Sequence, residues 1–120
     1  MKISYTEKKV MEMIWENEPV RSRDVVKHCK DTFDWKPTTV FTFLKRLGDK
    51  GIINNNDSII TSLVSKEEIE QESSNEFIQS VFSESLPSFL AAFLHGKQLS
   101  EEESNELIKL IEAHKEKKDA

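Results

Sequence analysis

A chain of 120 residues, 37% of them hydrophobic, can enclose one modest core, or a very small domain with an appendage that borrows apolar cover from a partner, which excludes two large independent domains. No run of about 18 apolar residues occurs, the stretch from Met1 to Met13 carries Glu7 and Glu12 in place of a signal-peptide core, and the single Cys29 cannot form an internal disulfide, so a cytoplasmic protein with no membrane association is expected. The net charge of -5 argues against a nucleic-acid binder until it is divided: residues 1–64 hold 11 Lys/Arg against 9 Asp/Glu, and residues 65–120 hold 6 against 13.

The first helix signal is Ser4 with Glu7, the spacing of a capping box, followed by Val10, Met13 and Ile14 on one face with Met11 and Trp15 beside it. Asn17, Glu18 and Pro19 stop it. A second helix is expected from Ser22, whose hydroxyl can cap the free amides, with Asp24 in the first turn, Val25 and Val26 pointing inward and an end near Lys30. The connection from Asp31 to Lys36 then holds Phe33 and Trp35 as aromatic plugs. Pro37 suits the first turn of a third helix, in which Val40, Phe43, Leu44 and Leu47 repeat at the spacing of a buried stripe, and Gly51 is the natural stop. Ile52 and Ile53, a polar turn from Asn54 to Ser58, and Ile59 to Leu63 read as a short hairpin. Three helices followed by a hairpin is the order of a winged helix-turn-helix, assigned here to residues 1–64.

From residue 65 the pattern is helical throughout, which predicts a mainly α protein with one small β-hairpin and a three-helix dimerisation domain over residues 65–120. Ser65 with Glu68 and Ser100 with Glu103 are two further capping-box spacings. The first segment carries Ile69, Phe77, Ile78, Val81 and Phe82. A middle segment after Pro87 carries Phe89, Leu90, Phe93 and Leu94, with Gly96 at its end, and the last carries Leu107, Ile108, Leu110 and Ile111. The charged tail from Lys115 to Ala120 is expected to fray.

The helix from Pro37 to Lys50 holds the candidate chemistry. With Val40, Phe43, Leu44 and Leu47 inward, the opposite side presents Thr38, Thr39, Phe41, Thr42, Lys45 and Arg46. Threonines offer hydroxyls to phosphates and base edges and methyls to thymine, Arg46 can reach phosphate or guanine, and Phe41 can pack on a thymine methyl. Lys36 sits where a recognition helix first enters the major groove. The competing reading makes Phe41 half-buried and the threonines ordinary surface. The hairpin tip has no Lys or Arg, so phosphate neutralisation rests on Lys36, Lys45, Arg46 and Lys50, with Arg21 and Arg23 as further candidates.

One such module binds feebly, whereas two at fixed spacing on a pseudo-palindrome gain by effective concentration. The second half is too short to enclose Phe77, Ile78, Val81, Phe82, Phe89, Leu90, Phe93, Leu94, Leu107, Ile108 and Ile111, and a two-fold interface with another copy is the usual solution. The alternative is a self-contained helical hairpin packed on the winged helix. No nucleophile with a base, carboxylate pair or metal cluster is visible, so no enzyme activity, cofactor or metal is expected. His28 and Cys29 are adjacent on a helix, and their side chains diverge by about 100°. His95 and His114 read as helix-end residues. A winged-helix protein-interaction scaffold without specific DNA binding is the alternative function.

The stretch Trp35-Lys-Pro-Thr-Thr-Val-Phe-Thr-Phe-Leu-Lys-Arg-Leu-Gly-Asp-Lys-Gly51 resembles the recognition helix of the penicillinase repressor family, the BlaI/MecI type, which runs Trp, a small residue, Pro, Lys, Thr, a β-branched residue, any residue and Thr before a Leu-rich pattern with Arg-Leu and Lys-Gly. Val10-Met-Glu-Met-Ile-Trp15 is similar to the family's first helix, and Phe93-Leu with Leu99-Ser-Glu-Glu-Glu-Ser-Asn-Glu-Leu107 to its last helices. The resemblance implies a homodimeric repressor whose two winged helices each read half of an inverted-repeat DNA operator, controlling antibiotic-response genes of the β-lactamase type. By motif, Thr39, Thr42 and Arg46 are its DNA contacts, while Lys36, Thr38 and Phe41 stand at contacting positions with other residue types. Members of the antibiotic-responsive branch are released from DNA when a sensor-linked protease cuts before a Phe in the dimerisation helices, after an Asn. The matching bond is Ala92 to Phe93, with the Phe kept and the Asn replaced. The cysteine cluster of the copper-responsive branch is absent.

Overall fold

The computed structural model describes residues 2–116, so most of the tail expected to fray lies outside the described residues. The first helix, α1 (Tyr5–Asn17), starts at a complete capping box: the Ser4 hydroxyl accepts from the Glu7 N–H at 3.1 Å, and Glu7 Oε1 accepts from the Ser4 N–H at 3.0 Å. Its inward face is Val10, Met11, Met13 and Ile14. A two-residue strand, β1 (Val20–Arg21), leads into α2 (Ser22–Phe33), and α3 (Pro37–Asp49) follows. The hairpin strands β2 (Ile53–Asn56) and β3 (Ile59–Ser62) complete an antiparallel sheet in the order β1-β3-β2, with Val20 opposite Ile60 and Ile53 opposite Ser62. The arm consists of α4 (Lys66–Phe82), α5 (Leu86–Leu94) and α6 (Glu101–Ala113).

Several local expectations are corrected. Ser22 does not cap α2. The cap position is Arg21, with no side-chain cap bond, because the Ser22 N–H is drawn to the Ser58 carbonyl at 2.9 Å as β1 pairs with β3. The second helix runs past Lys30 to Phe33 and closes on Asp34 in the left-handed conformation, so Asp31 to Phe33 is helix and not connection. The hairpin turn is shorter than Asn54 to Ser58: Asn54, Asn55 and Asn56 pair with Thr61, Ile60 and Ile59, and the reversal falls on Asp57 and Ser58, both at positive φ as a tight turn between twisted strands demands. At Ser65 and Ser100 only the hydroxyl half of each box forms, onto the Glu68 and Glu103 N–H groups.

The core joins Val10, Met11 and Ile14 of α1, Val25 and Cys29 of α2, Val40, Leu44 and Leu47 of α3, and Ile52, Ile53 and Ile60 around the sheet. Ile69, from the first turn of α4, is also buried in it. Trp15 Nε1 donates to the Val64 carbonyl at 3.0 Å, which secures the chain just before that turn. The chain divides by compactness into a unit ending at Glu84 and a unit beginning at Ser85, so α4 goes with the winged helix, whereas sequence pattern put the change at residues 64 and 65. Periodicity could not show this, because Ile69 has the same spacing whether it faces a partner or the core. In the second unit neither α5 nor α6 has a fully buried residue.

Candidate nucleic-acid interface

Pro37 opens α3 because its missing N–H would be unsatisfied at the first turn in any case, and Lys36 stands at the cap position with extended backbone. Val40, Leu44 and Leu47 are buried, and Phe43 packs partly against the same core. That orientation leaves Lys36, Thr38, Thr39, Phe41, Thr42, Lys45 and Arg46 exposed along the outer face. Phe41 is 51% exposed, so about half of the side chain is open to a partner and half is covered by the domain. Phe33, Trp35 and Phe43 pack in series, the first pair tilted and the second edge-to-face, with ring centroids 4.6 and 5.6 Å apart, and so brace the α2–α3 connection that aims the helix. The Thr42 hydroxyl donates to the Thr38 carbonyl at 2.9 Å, so toward a further partner it can act only as an acceptor.

Lys50 is exposed as well, but its ammonium is engaged within the domain. Its Nζ lies 2.9 and 3.0 Å from the two Glu7 carboxylate oxygens and 2.8 Å from the Lys2 carbonyl, which fills all three donors of an ammonium. Burial pushes the Glu7 carboxyl up, but the hydrogen bond from Lys50, those at Ser4 and the Lys50 charge together outweigh it and hold the group below its ordinary value. Motif reading missed this because the partner is 43 residues away.

The strand β1 was too short to leave a period-two signal, and its consequence is electrostatic. Arg21 sits opposite Ile59, next to the Asp57–Ser58 turn, and Arg23 follows in the first turn of α2. Both are exposed, and neither side chain has an ion-pair partner among the described residues. A hairpin whose own tip lacks cations is therefore flanked by two. Cys29 is fully buried, with burial pushing its thiol up, which makes it a small apolar core residue.

The expected pairing residues fall into two groups. Phe77, Val81, Phe93, Leu107, Ile108 and Ile111 are exposed, whereas Ile78, Phe82, Phe89, Leu90 and Leu94 are partly covered within the chain. In the second unit, Phe89, Leu90, Phe93 and Leu94 of α5 face Leu99, Leu107 and Leu110 across an apolar groove rimmed by Glu103 and Glu106. Leu86 and Leu110, outside the expected set, are each more than half exposed. Ala92 and Phe93 lie inside α5, where the Ala92 carbonyl accepts from the His95 N–H and Lys97 Nζ sits 3.9 Å from the Phe93 ring centroid.

A three-helix core with a three-stranded antiparallel hairpin sheet and an outward-facing third helix defines a winged-helix DNA-binding protein. Residues 3–113 match the penicillinase repressor family, and the chain belongs to it. It is 32% identical over 120 residues to the penicillinase repressor of Bacillus licheniformis, covering 97% of this chain and 94% of that protein. It is 30% identical over 113 residues to the methicillin resistance regulatory protein MecI of Staphylococcus aureus strain N315, covering 91% and 92%. Among solved structures it is similar to the DNA-binding domain of the repressor BlaI, with a TM-score of 0.53 and 30% identity over 56% of this chain and 87% of that one. The chain is a DNA-binding transcriptional repressor of the BlaI/MecI branch, and the members of its family are regulators, not enzymes.

Proposed function

We propose that two copies of the chain, joined through α5 and α6, each lay α3 into the major groove of one half of an inverted-repeat operator and so block transcription. The carrying observation is the division of α3 into a buried stripe and an outer face whose arginine, lysines and threonines point to solvent. Thr39, Thr42 and Arg46 read base edges, Thr38 and Phe41 contribute at neighbouring positions, and Lys36 and Lys45 hold phosphates. Arg21 and Arg23 supply the cations that the hairpin tip lacks. The names of the two relatives, a penicillinase repressor and a methicillin resistance regulator, support β-lactam resistance genes as the class controlled. Release by a sensor-linked protease at Ala92–Phe93 fits this reading, and it requires the end of α5 to unwind, because a helical peptide does not fit an extended protease cleft.

The test is fluorescence anisotropy on a duplex that the chain enriches from a randomised pool, compared with a scrambled duplex. The enriched sequence is expected to be an inverted repeat, with affinity falling steeply between about 50 and 200 mM salt and a slope near 0.9 per phosphate neutralised. Replacing Arg21 and Arg23 together with Ala removes two cations from each of two subunits and should make that slope shallower by up to about 3.6 and weaken all duplexes alike. Failure to enrich any duplex, with the chain folded, would return the winged helix to the scaffold alternative.

A further inference from the structure

The cation at the end of α3 is engaged within the domain, at the start of α1. Lys50 is the C-cap residue of α3, and its ammonium crosses to the first turn of α1, where it meets both oxygens of Glu7 and the Lys2 carbonyl. Glu7 is 3% exposed, and its Oε1 also holds the Ser4 N–H, so this carboxylate cannot shift without disturbing the start of α1. Arg46 lies one turn before Lys50, and its carbonyl accepts the Lys50 N–H at 2.9 Å. Any slide or tilt of the C-terminal turn of α3 therefore moves Arg46 relative to the groove it reads. Misplacing a contacting group by about 1 Å is costly, because directional hydrogen bonds weaken steeply with geometry.

We propose that Glu7 and Lys50 form a positioning pair for DNA reading: the buried carboxylate grips the ammonium at the end of α3, fixes that helix on α1, and sets where Arg46 stands, without either residue touching DNA. The inference rests on the reading of α3 as the recognition helix. It opposes the assignment of Lys50 as a phosphate contact, and the two make opposite predictions. Replacing Glu7 with Gln adds positive charge to the domain and frees Lys50, so simple attraction to phosphate predicts tighter binding. A positioning role predicts weaker binding.

The experiment uses the full chain and the duplex enriched by the wild type, with affinities expressed per folded molecule from circular dichroism and stoichiometric titration. Glu7→Gln and Lys50→Met are each expected to lower affinity for that duplex about tenfold, the cost of a misplaced charge-assisted network. The slope against salt should stay that of the wild type. The double variant, which replaces both charges with neutral groups of similar shape, should bind no worse than either single one, because both act through one bond. It also guards against a single variant that fails to fold. Equal or tighter binding by Glu7→Gln, or a slope shallower by about 1.8 in Lys50→Met, one phosphate in each subunit, would overturn the positioning role and restore Lys50 as a phosphate contact. If the wild-type chain enriches no duplex, the reading of α3 fails first and this inference falls with it.

Discussion

Replacing Arg46 with Ala is expected to abolish specific retention of the operator while leaving the fold intact. The side chain projects from the outer face of α3 and is exposed, with no ion-pair partner among the described residues. Surface truncations of this kind change stability by no more than about 0.5 kcal/mol. A guanidinium that reads guanine bidentately contributes about 1–3 kcal/mol of discrimination, and a dimer loses it twice, so specificity should fall by roughly 2–6 kcal/mol. Binding to a scrambled duplex should fall far less, since only phosphate attraction is lost there. Parallel anisotropy titrations on both duplexes check this. An equal loss on the two would make Arg46 a phosphate contact and move base reading to the threonines.

The second large effect concerns assembly. On the proposed pairing through α5 and α6, replacing Ile108 with Asp is expected to give a monomer in sedimentation velocity where the unmodified chain is a dimer. Leu107, Ile108, Leu110 and Ile111 give α6 an apolar face that the chain itself leaves open, with Ile108 54% exposed. On a free surface an Asp there costs little. In a two-fold interface it leaves a charge buried without a partner in each copy, a penalty of several kcal/mol. Operator affinity should then drop about 10²–10⁴-fold, the advantage that tethering two half-site contacts provides. A variant that stays dimeric would place the pairing surface elsewhere, with the exposed Phe77 and Val81 of α4 as the next candidates.

The elements that could be read from residues alone were those whose signal is local. Pro37 and the Val40, Leu44, Leu47 stripe define α3 and, by exclusion, its outer face. Ser4 with Glu7 defines the start of α1. What stayed hidden depends on distant partners. Val20 and Arg21 become a strand only because Ile59 and Ile60 lie beside them, and that pairing takes the Ser22 amide that a cap would have used. Glu7 was read as half of a capping box, which it is, but its second role needs Lys50 from the other end of the domain. The tip residues Asn54 to Asn56 are polar enough for a turn, and tertiary pairing overrides that preference.

In the proposed complex a pair of identical subunits places α3 in two successive major grooves on one face of the duplex. Dimethyl sulfate interference at guanine N7, on the duplex enriched by the full chain, tests it directly because N7 lies in the major groove. Two symmetric clusters of interference, about one helical turn apart, are expected. A single cluster, or retention insensitive to N7 methylation in both halves, would contradict it.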